Sequence, residues 1–252
     1  MIRLENLTLG YGSRTLLDAV SASMPAGALT ALVGRNGTGK STLLRALAGL
    51  GECRSGRVLL DGEELARMAP QRLAVTVAFV ATERVRIPNL RCRDVVALGR
   101  APYTNWFGRM QAEDAGIVAR SLEAVGMAGY ADCTMDRMSD GECQRVMIAR
   151  ALAQQTPIVL LDEPTSFLDL PSRYELGGLL RRLAHEEGKC ILFSTHELDI
   201  ALSQCDAVAL IDPPQLHCLP TEEMVRSGRI ERLFGCSPVA FDAASGTVKI
   251  GR

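Results

Sequence analysis

Residues Gly34 to Thr42 read GRNGTGKST, after a short apolar stretch from Leu29 to Val33 and before LLRALAGL, whose spacing suits a helix. Glycine reaches backbone angles closed to other residues, so Gly34, Gly37 and Gly39 let successive amides turn inward and form a nest for anions. The helix that follows aims its positive end at the same point. Few sequences of nine residues dictate so much: a buried strand, a tight loop and a helix, in that order, around a phosphate.

This is the Walker A pattern, in which the lysine reaches the β- and γ-phosphates and the next hydroxyl ligates Mg²⁺. The candidate nucleotide-binding set is therefore Gly34, Arg35, Asn36, Gly37, Thr38, Gly39, Lys40, Ser41 and Thr42, with Ser41 also a metal ligand. Ile158 to Leu161 is a short apolar run ending in Asp162-Glu163-Pro164, a buried strand delivering two carboxylates. Open α/β sheets bind ligands at the C-terminal ends of their strands. There Asp162 would enter the Mg²⁺ shell, and Glu163 would serve as base or water-positioner. Cys190 to Phe193, another strand, brings Ser194, Thr195 and His196 to the same edge. Ser139 opens the helical stretch SDGECQRVMIAR as an N-cap, with Asp140 and Glu142 in the first turn, and makes a second anion site. Tyr11, between Gly10 and Gly12, either stacks on a nucleobase or covers the sheet edge.

At 252 residues and 47% apolar composition, the chain suffices for one large domain over 1–252 with an inserted subdomain. The net charge of -1 leaves no overall field to draw nucleic acid or an anionic membrane. None of the eight cysteines forms a C-x-x-C pair, so buried single thiols are expected rather than disulfides or zinc. No signal-peptide pattern opens the chain and no run of 18 apolar residues occurs, which predicts a cytoplasmic protein that does not itself span a membrane.

Alternation predicts a strand at Ile2–Leu9; further strands are read at Arg57–Leu60, followed by a hairpin turn at Asp61-Gly62, at the β-branched and apolar Val75–Val80, and at Val208–Ile211. Residues 84–156 carry helical spacing at Arg91–Gly99 and Gln111–Val125, and predict a mainly helical insertion between strands. Tyr103, Trp106 and Phe107, between those helices, form either a mini-core or a contact surface. Leu176, Leu179, Leu180 and Leu183 make an apolar stripe on a later helix. Residues 221–234 read as helical, and Phe241–Ile250 as a hairpin turning through Ala244-Ser245-Gly246. His185, beside two glutamates, reads as solvated, and neither it nor His217 is assigned a role.

Taken together, GRNGTGKST, MSDGEC, VLLDEPTSFLD and STH resemble, in order and near spacing, the ATP-binding subunit of ABC transporters, over almost the whole chain. The segment VVALGRAPYTNWFGR is similar to the ATPases of importers for ferric siderophores, haem and cobalamin. The resemblance implies an α/β P-loop NTPase core, a mixed sheet flanked by helices, with an antiparallel β part and a helical subdomain. It implies ATP and Mg²⁺ as ligands, Tyr11 on adenine, Asp162 as the Walker B aspartate, and Glu163, His196 and Lys40 as catalytic residues. Asp169 falls in the loop joining two sites. Ser139 and Gly141 would touch ATP held by a second copy of the chain in a head-to-tail pair. A membrane permease would dock on the helical subdomain at the cytoplasmic face of the membrane, with a substrate-binding protein as indirect partner and no nucleic acid.

Two departures from the family pattern stand out. Where a glutamine usually serves Mg²⁺ and the membrane partner, this chain has Thr82 followed by Glu83; Thr82 is the candidate ligand, with Glu83 open as its alternative. The signature, usually LSGGQ, has Met138, Asp140 and Glu142 at its first, third and fifth places. Carboxylates repel a triphosphate, so theirs must point away or be paired. A soluble ABC ATPase in cluster assembly or nucleic-acid handling, and a slow-hydrolysing regulatory module, are the rival readings.

Overall fold

The computed structural model describes residues 1–83, 88–104 and 110–231, and the backbone of 239–242 and 247–250. Its elements run β1 (Ile2–Tyr11), β2 (Arg14–Met24), β3 (Leu29–Gly34), α1 (Lys40–Leu47), β4 (Ser55–Leu60), β5 (Glu63–Glu64), α2 (Pro70–Thr76) and β6 (Val77–Val80). Next come α3 (Cys92–Ala97), α4 (Asp114–Ala124), α5 (Asp140–Ala153), β7 (Ile158–Leu161), α6 (Leu170–Glu187), β8 (Cys190–Ser194) and α7 (Leu198–Gln204). β9 (Ala207–Asp212), β10 (Gln215–Pro220), α8 (Thr221–Arg226), β11 (Val239–Asp242) and β12 (Thr247–Ile250) complete the chain. Trp106, Phe107, Cys236, residues 232–234 of the expected C-terminal helix and the turn Ala244-Ser245-Gly246 lie outside the described residues.

A six-stranded sheet in the order β10-β9-β3-β8-β7-β6 forms the centre, parallel except for the antiparallel edge pair β9–β10. Its inner strands read as unbroken apolar runs because both faces are covered. On β3, Leu29, Ala31 and Val33 point into a core built with α3–α8, whereas Leu32 points into a second core with α1 and the antiparallel sheet β2-β1-β4-β5. β7 divides in the same way, with Val159 and Leu161 on one side and Ile158 and Leu160 on the other. The leucine stripe of α6 joins the first core, as its spacing predicts, and Gly188 ends that helix at a φ of 66°.

Several local expectations differ from the structure. β1 buries Ile2 and Leu4, then Leu7 and Leu9; the interval of three is a bulge at Asn6, whose φ is 48°. β2 was not expected because the same device, at Ala19 with φ 47°, separates Leu16 and Leu17 from Val20 and hides the period of two. Val75 and Thr76 end helix α2 rather than begin β6, since Pro70 presets the first helical turn. The hairpin at Asp61-Gly62 has both residues at positive φ, 51° and 84°, as a tight two-residue turn requires. Cys53 and Cys133 are exposed, against the expectation of buried thiols, while Cys92, Cys143, Cys190 and Cys205 are buried. Among the described residues, no helix is long and apolar enough to cross a membrane.

Between β6 and β7 the helices α3, α4 and α5 pack on one another around Cys92, Val95, Ile117, Leu122 and Val146. A buried ion pair fastens this block: Arg100 donates to Asp114 at 2.7 Å, to the Ala153 carbonyl at 2.8 Å and to Gln155 at 2.9 Å. Tyr103 covers the guanidinium, 4.1 Å from ring centre to Arg100 Cζ, and donates to the Gln154 carbonyl at 2.9 Å. Tyr103 therefore packs within the block, the first of its two readings.

Candidate functional site

Four neighbouring strands, β3, β8, β7 and β6, run parallel, so their C-terminal ends lie side by side. That alignment gathers residues 34–42, 195–196, 162–163 and 82 from distant parts of the chain. Between them lies a cleft of about 360 Å³. Asn36, Gly37 and Gly39–Thr42 form one wall, Glu163 and His196 another, and Tyr11, Arg14 and Leu16 of the β1–β2 hairpin a third.

In the loop, Gly37 and Gly39 have φ of 73° and 104°, and a Cβ on Gly37 would meet nothing within 4 Å. Gly34 needs its small size for another reason: a Cβ there would come within 2.8 Å of Thr38 Oγ1 and 3.0 Å of the Ile211 carbonyl. Thr38 braces the turn by donating to the Arg35 carbonyl at 2.8 Å. Lys40 donates to the carbonyls of Gly34 at 2.9 Å and Arg35 at 3.3 Å, which holds its ammonium across the mouth of the nest. Burial lowers the Lys40 pKa, an effect opposed by the carboxylates of Glu163 and Asp162. A cation, an anion nest and two carboxylates thus meet at one point, the arrangement that a metal-bound polyphosphate needs.

Asp162 is only 3% exposed, and its Oδ1 accepts from Ser194 Oγ at 2.7 Å. The same Ser194 oxygen accepts the Glu163 amide at 2.8 Å. Glu163 sits at φ 49°, a left-handed conformation uncommon outside glycine, and this amide bond holds it there. Its carboxylate accepts from His196 Nε2 at 2.7 Å, and Ser166 Oγ donates to the Glu163 carbonyl at 2.8 Å. Ser194, with 0% exposure, was read in the sequence only as one of three residues brought to the sheet edge, with no role assigned. A hydroxyl ending the apolar run CILFS was the available signal.

Thr82 donates to the Asp162 carbonyl at 3.0 Å, so its oxygen lies against the Asp162 backbone. Glu83 instead pairs with Arg45 of α1 at 2.8 Å. Neither lines the cleft. Tyr11 is 82% exposed at the end of β1, bordering the cleft rather than covering a sheet edge. Arg54 fixes that hairpin through the Gly12 carbonyl at 2.6 Å and Thr15 at 3.0 Å, a role the sequence did not suggest.

Ser139 is an N-cap, as expected, in a reciprocal capping box with Glu142. Neither Ser139 nor Gly141 lines the cleft. Gly141 lies where a Cβ would come within 2.9 Å of the Phe167 carbonyl, so the start of α5 packs on the loop that follows Glu163. Asp169 closes that loop by capping α6, accepting the Ser172 amide at 3.2 Å. Its bonds to Ser172 hold the carboxyl below the usual range. His185 is not simply solvated but reaches Asp206 at 2.9 Å, where Asp206 also accepts the Leu29 amide; His217 meets Arg229 at 3.2 Å. Both lie away from the cleft lining.

Comparison with known proteins agrees with this geometry. Residues 17–166 match the model of the ABC transporter family. An ABC transporter ATP-binding protein of Methanocaldococcus jannaschii is 42% identical over 84% of this chain and 73% of its own length. The ferric enterobactin transport ATP-binding protein FepC of Escherichia coli is 36% identical over 96% of this chain and 89% of its own. Among solved structures, an inward-facing metal-chelate type ABC transporter superposes with a TM-score of 0.81 at 26% identity, over 92% of this chain and 88% of that one. A dimeric ATP-binding cassette bound to ADP and Pi gives 0.77 at 25% identity, over 88% and 99%. A nucleotide loop, paired carboxylates and a histidine at one sheet edge, in a chain matched by these relatives, identify it as a member of the ABC transporter family, one of its ATP-hydrolysing, ATP-binding subunits.

Proposed function

We propose that this chain powers import of a metal chelate, a ferric siderophore, haem or cobalamin, through a membrane permease, from the cytoplasmic face of the membrane. Two copies work head to tail, and a substrate-binding protein delivers the cargo to the permease. The cargo class is supported by FepC, by the metal-chelate type transporter and by the segment at residues 95–109. The observation that carries the mechanism is the Glu163–His196 pair, 2.7 Å apart, facing the glycine loop across one cleft while Ser139 lines no part of it.

In this mechanism Gly34–Thr42 grips the phosphates, Lys40 exchanges loop carbonyls for phosphate oxygens, and Tyr11 stacks on adenine. The oxygen-only donors fit magnesium: the buried Asp162 carboxylate and the Ser41 hydroxyl, with Thr82 holding its oxygen against Asp162. When bound, the ion neutralises charge that develops on the phosphates. Glu163 orients the attacking water and takes its proton, and His196 keeps the carboxylate aimed. Ser139 and Gly141 of the partner copy complete the γ-phosphate shell.

Neither half-site alone surrounds the nucleotide, so ATP favours the closed pair by differential contact and hydrolysis removes that preference. Shifting a population from 1:99 to 99:1 needs about 5.5 kcal/mol, which two shared nucleotides can divide. The test is to tag the Glu163→Gln chain, solubilise membranes with ATP present, and identify what copurifies. A polytopic permease is expected, together with loss of radioactive ferric-siderophore uptake in cells carrying the variant. Recovery with no membrane protein, and uptake unaltered for all three chelates, would refute the importer.

A further inference from the structure

The start of α5 holds a contact that the proposed mechanism does not use. Glu142 Oε2 accepts two hydrogens from Ser139, the amide at 2.9 Å and the hydroxyl at 2.8 Å. Ser139 Oγ in turn accepts the Glu142 amide at 3.3 Å. An ordinary capping box ties the third helical side chain to the N-cap amide alone; here it also takes the hydroxyl.

A serine has one hydroxyl hydrogen to give. While Glu142 holds it, Ser139 cannot donate to a phosphate on another protomer. The bonds from Ser139 also keep the Glu142 carboxyl below its usual range, so the group stays charged at neutral pH. Hydrogen bonds to a charged acceptor are stronger than those to a neutral one.

We propose that Glu142 is a positioning residue that holds the Ser139 hydroxyl within its own protomer, so that ATP-driven pairing must first break this bond and the signature acts as a brake on closure. The proposal rests on the shared-nucleotide reading above. It assigns the two carboxylates of the signature different parts: Glu142 acts through Ser139, whereas Asp140 stays unchanged in every variant below and its influence cancels.

The informative change is Glu142→Gln in a Glu163→Gln background, where pairing is not undone by hydrolysis. A glutamine oxygen still accepts the Ser139 amide, so the cap is kept, but the hydroxyl is held by a neutral group. The gap between charged and neutral hydrogen bonds corresponds to roughly tenfold per contact, and the contact occurs twice in a symmetric pair. The dimer dissociation constant with saturating MgATP, read by sedimentation velocity, should therefore fall about a hundredfold. Binding of a fluorescent ATP analogue to dilute monomer should not change.

A third protein, also carrying Ser139→Ala, separates the hydroxyl from simple charge repulsion: there the gain from Glu142→Gln should disappear. An unchanged or weaker dimer in Glu142→Gln overturns the brake. So does a gain of the same size with Ser139 absent. If the Glu163→Gln parent never pairs with MgATP, the shared-nucleotide reading fails and the brake falls with it, a result distinct from pairing that is indifferent to Glu142.

Discussion

Ser194 offers the sharpest test of how the site is held. Its hydroxyl donates to the nearly buried Asp162 carboxylate at 2.7 Å and accepts the Glu163 amide at 2.8 Å. Ser194→Ala removes one charge-assisted hydrogen bond, of order 1.5 to 3 kcal/mol, and leaves the Glu163 amide without its acceptor. The combined loss should be about 2 to 4 kcal/mol, which for a chain of this size lowers Tm by roughly 4 to 8 °C. Function should suffer in a particular way. Ser194 does not line the cleft, whereas Glu163, which it holds at φ 49°, does. Misplacing a catalytic group by about 1 Å can cost around a hundredfold in rate. Steady-state phosphate release should therefore show kcat reduced by about 10- to 100-fold, with KM for ATP within about twofold of the parent and a raised Mg²⁺ requirement. A folded Ser194→Ala protein with unaltered kcat and unaltered Tm would show that neither bond matters and that Glu163 is positioned by something else.

Glu163→Gln should retain ATP binding yet lose at least about a hundredfold in turnover, the usual scale for a general base, and accumulate as an ATP-bound pair; undiminished phosphate release would remove Glu163 from the chemistry. Tyr11→Ala should raise the Kd for ATP about tenfold or more while Tyr11→Phe stays close to the parent, because stacking is worth roughly 1 to 3 kcal/mol and needs only the ring; equal affinities by titration calorimetry would return Tyr11 to the hairpin edge. The hydrogen bond from Arg100 and that from the Gln111 amide hold the Asp114 carboxyl below its usual range. Stability from a depressed carboxylate is present above its unfolded pKa and is lost as pH falls through the folded one. The urea midpoint of Asp114→Asn should therefore lie below that of the parent at pH 7, and the gap should narrow as pH drops below about 4; a gap independent of pH would separate the effect from ionisation.

The glycine loop was legible because its conformation is local: a strand, three glycines, a lysine and a helix start occupy consecutive positions, and the structure adds that Gly34 is there for space while Gly37 and Gly39 are there for positive φ. The buried strands β3, β7 and β8 were legible because covering on both faces demands unbroken apolar runs. Where a bulge shifts the phase, as at Ala19 in β2, the run of alternation breaks and the strand is hidden. β10, an edge strand, was not expected because no clear alternation marks it: Leu216 is buried, His217, Cys218 and Leu219 are all half-buried, and Pro220 is exposed.

From the residues alone came the glycine loop, the acid pair Asp162-Glu163, the histidine just beyond a strand, and the capping serine, since each is a short motif whose meaning depends on its neighbours in the chain. What they do to one another was decided in three dimensions. That Ser194 bridges Asp162 to Glu163, that His196 meets Glu163, that Thr82 rests on the Asp162 backbone while Glu83 turns to Arg45, and that Glu142 closes on Ser139 depend on strand order and side-chain rotamers. Parallel strands brought together by crossover helices place residues more than thirty positions apart within hydrogen-bond reach, and no periodicity along the chain records which strand will lie beside which.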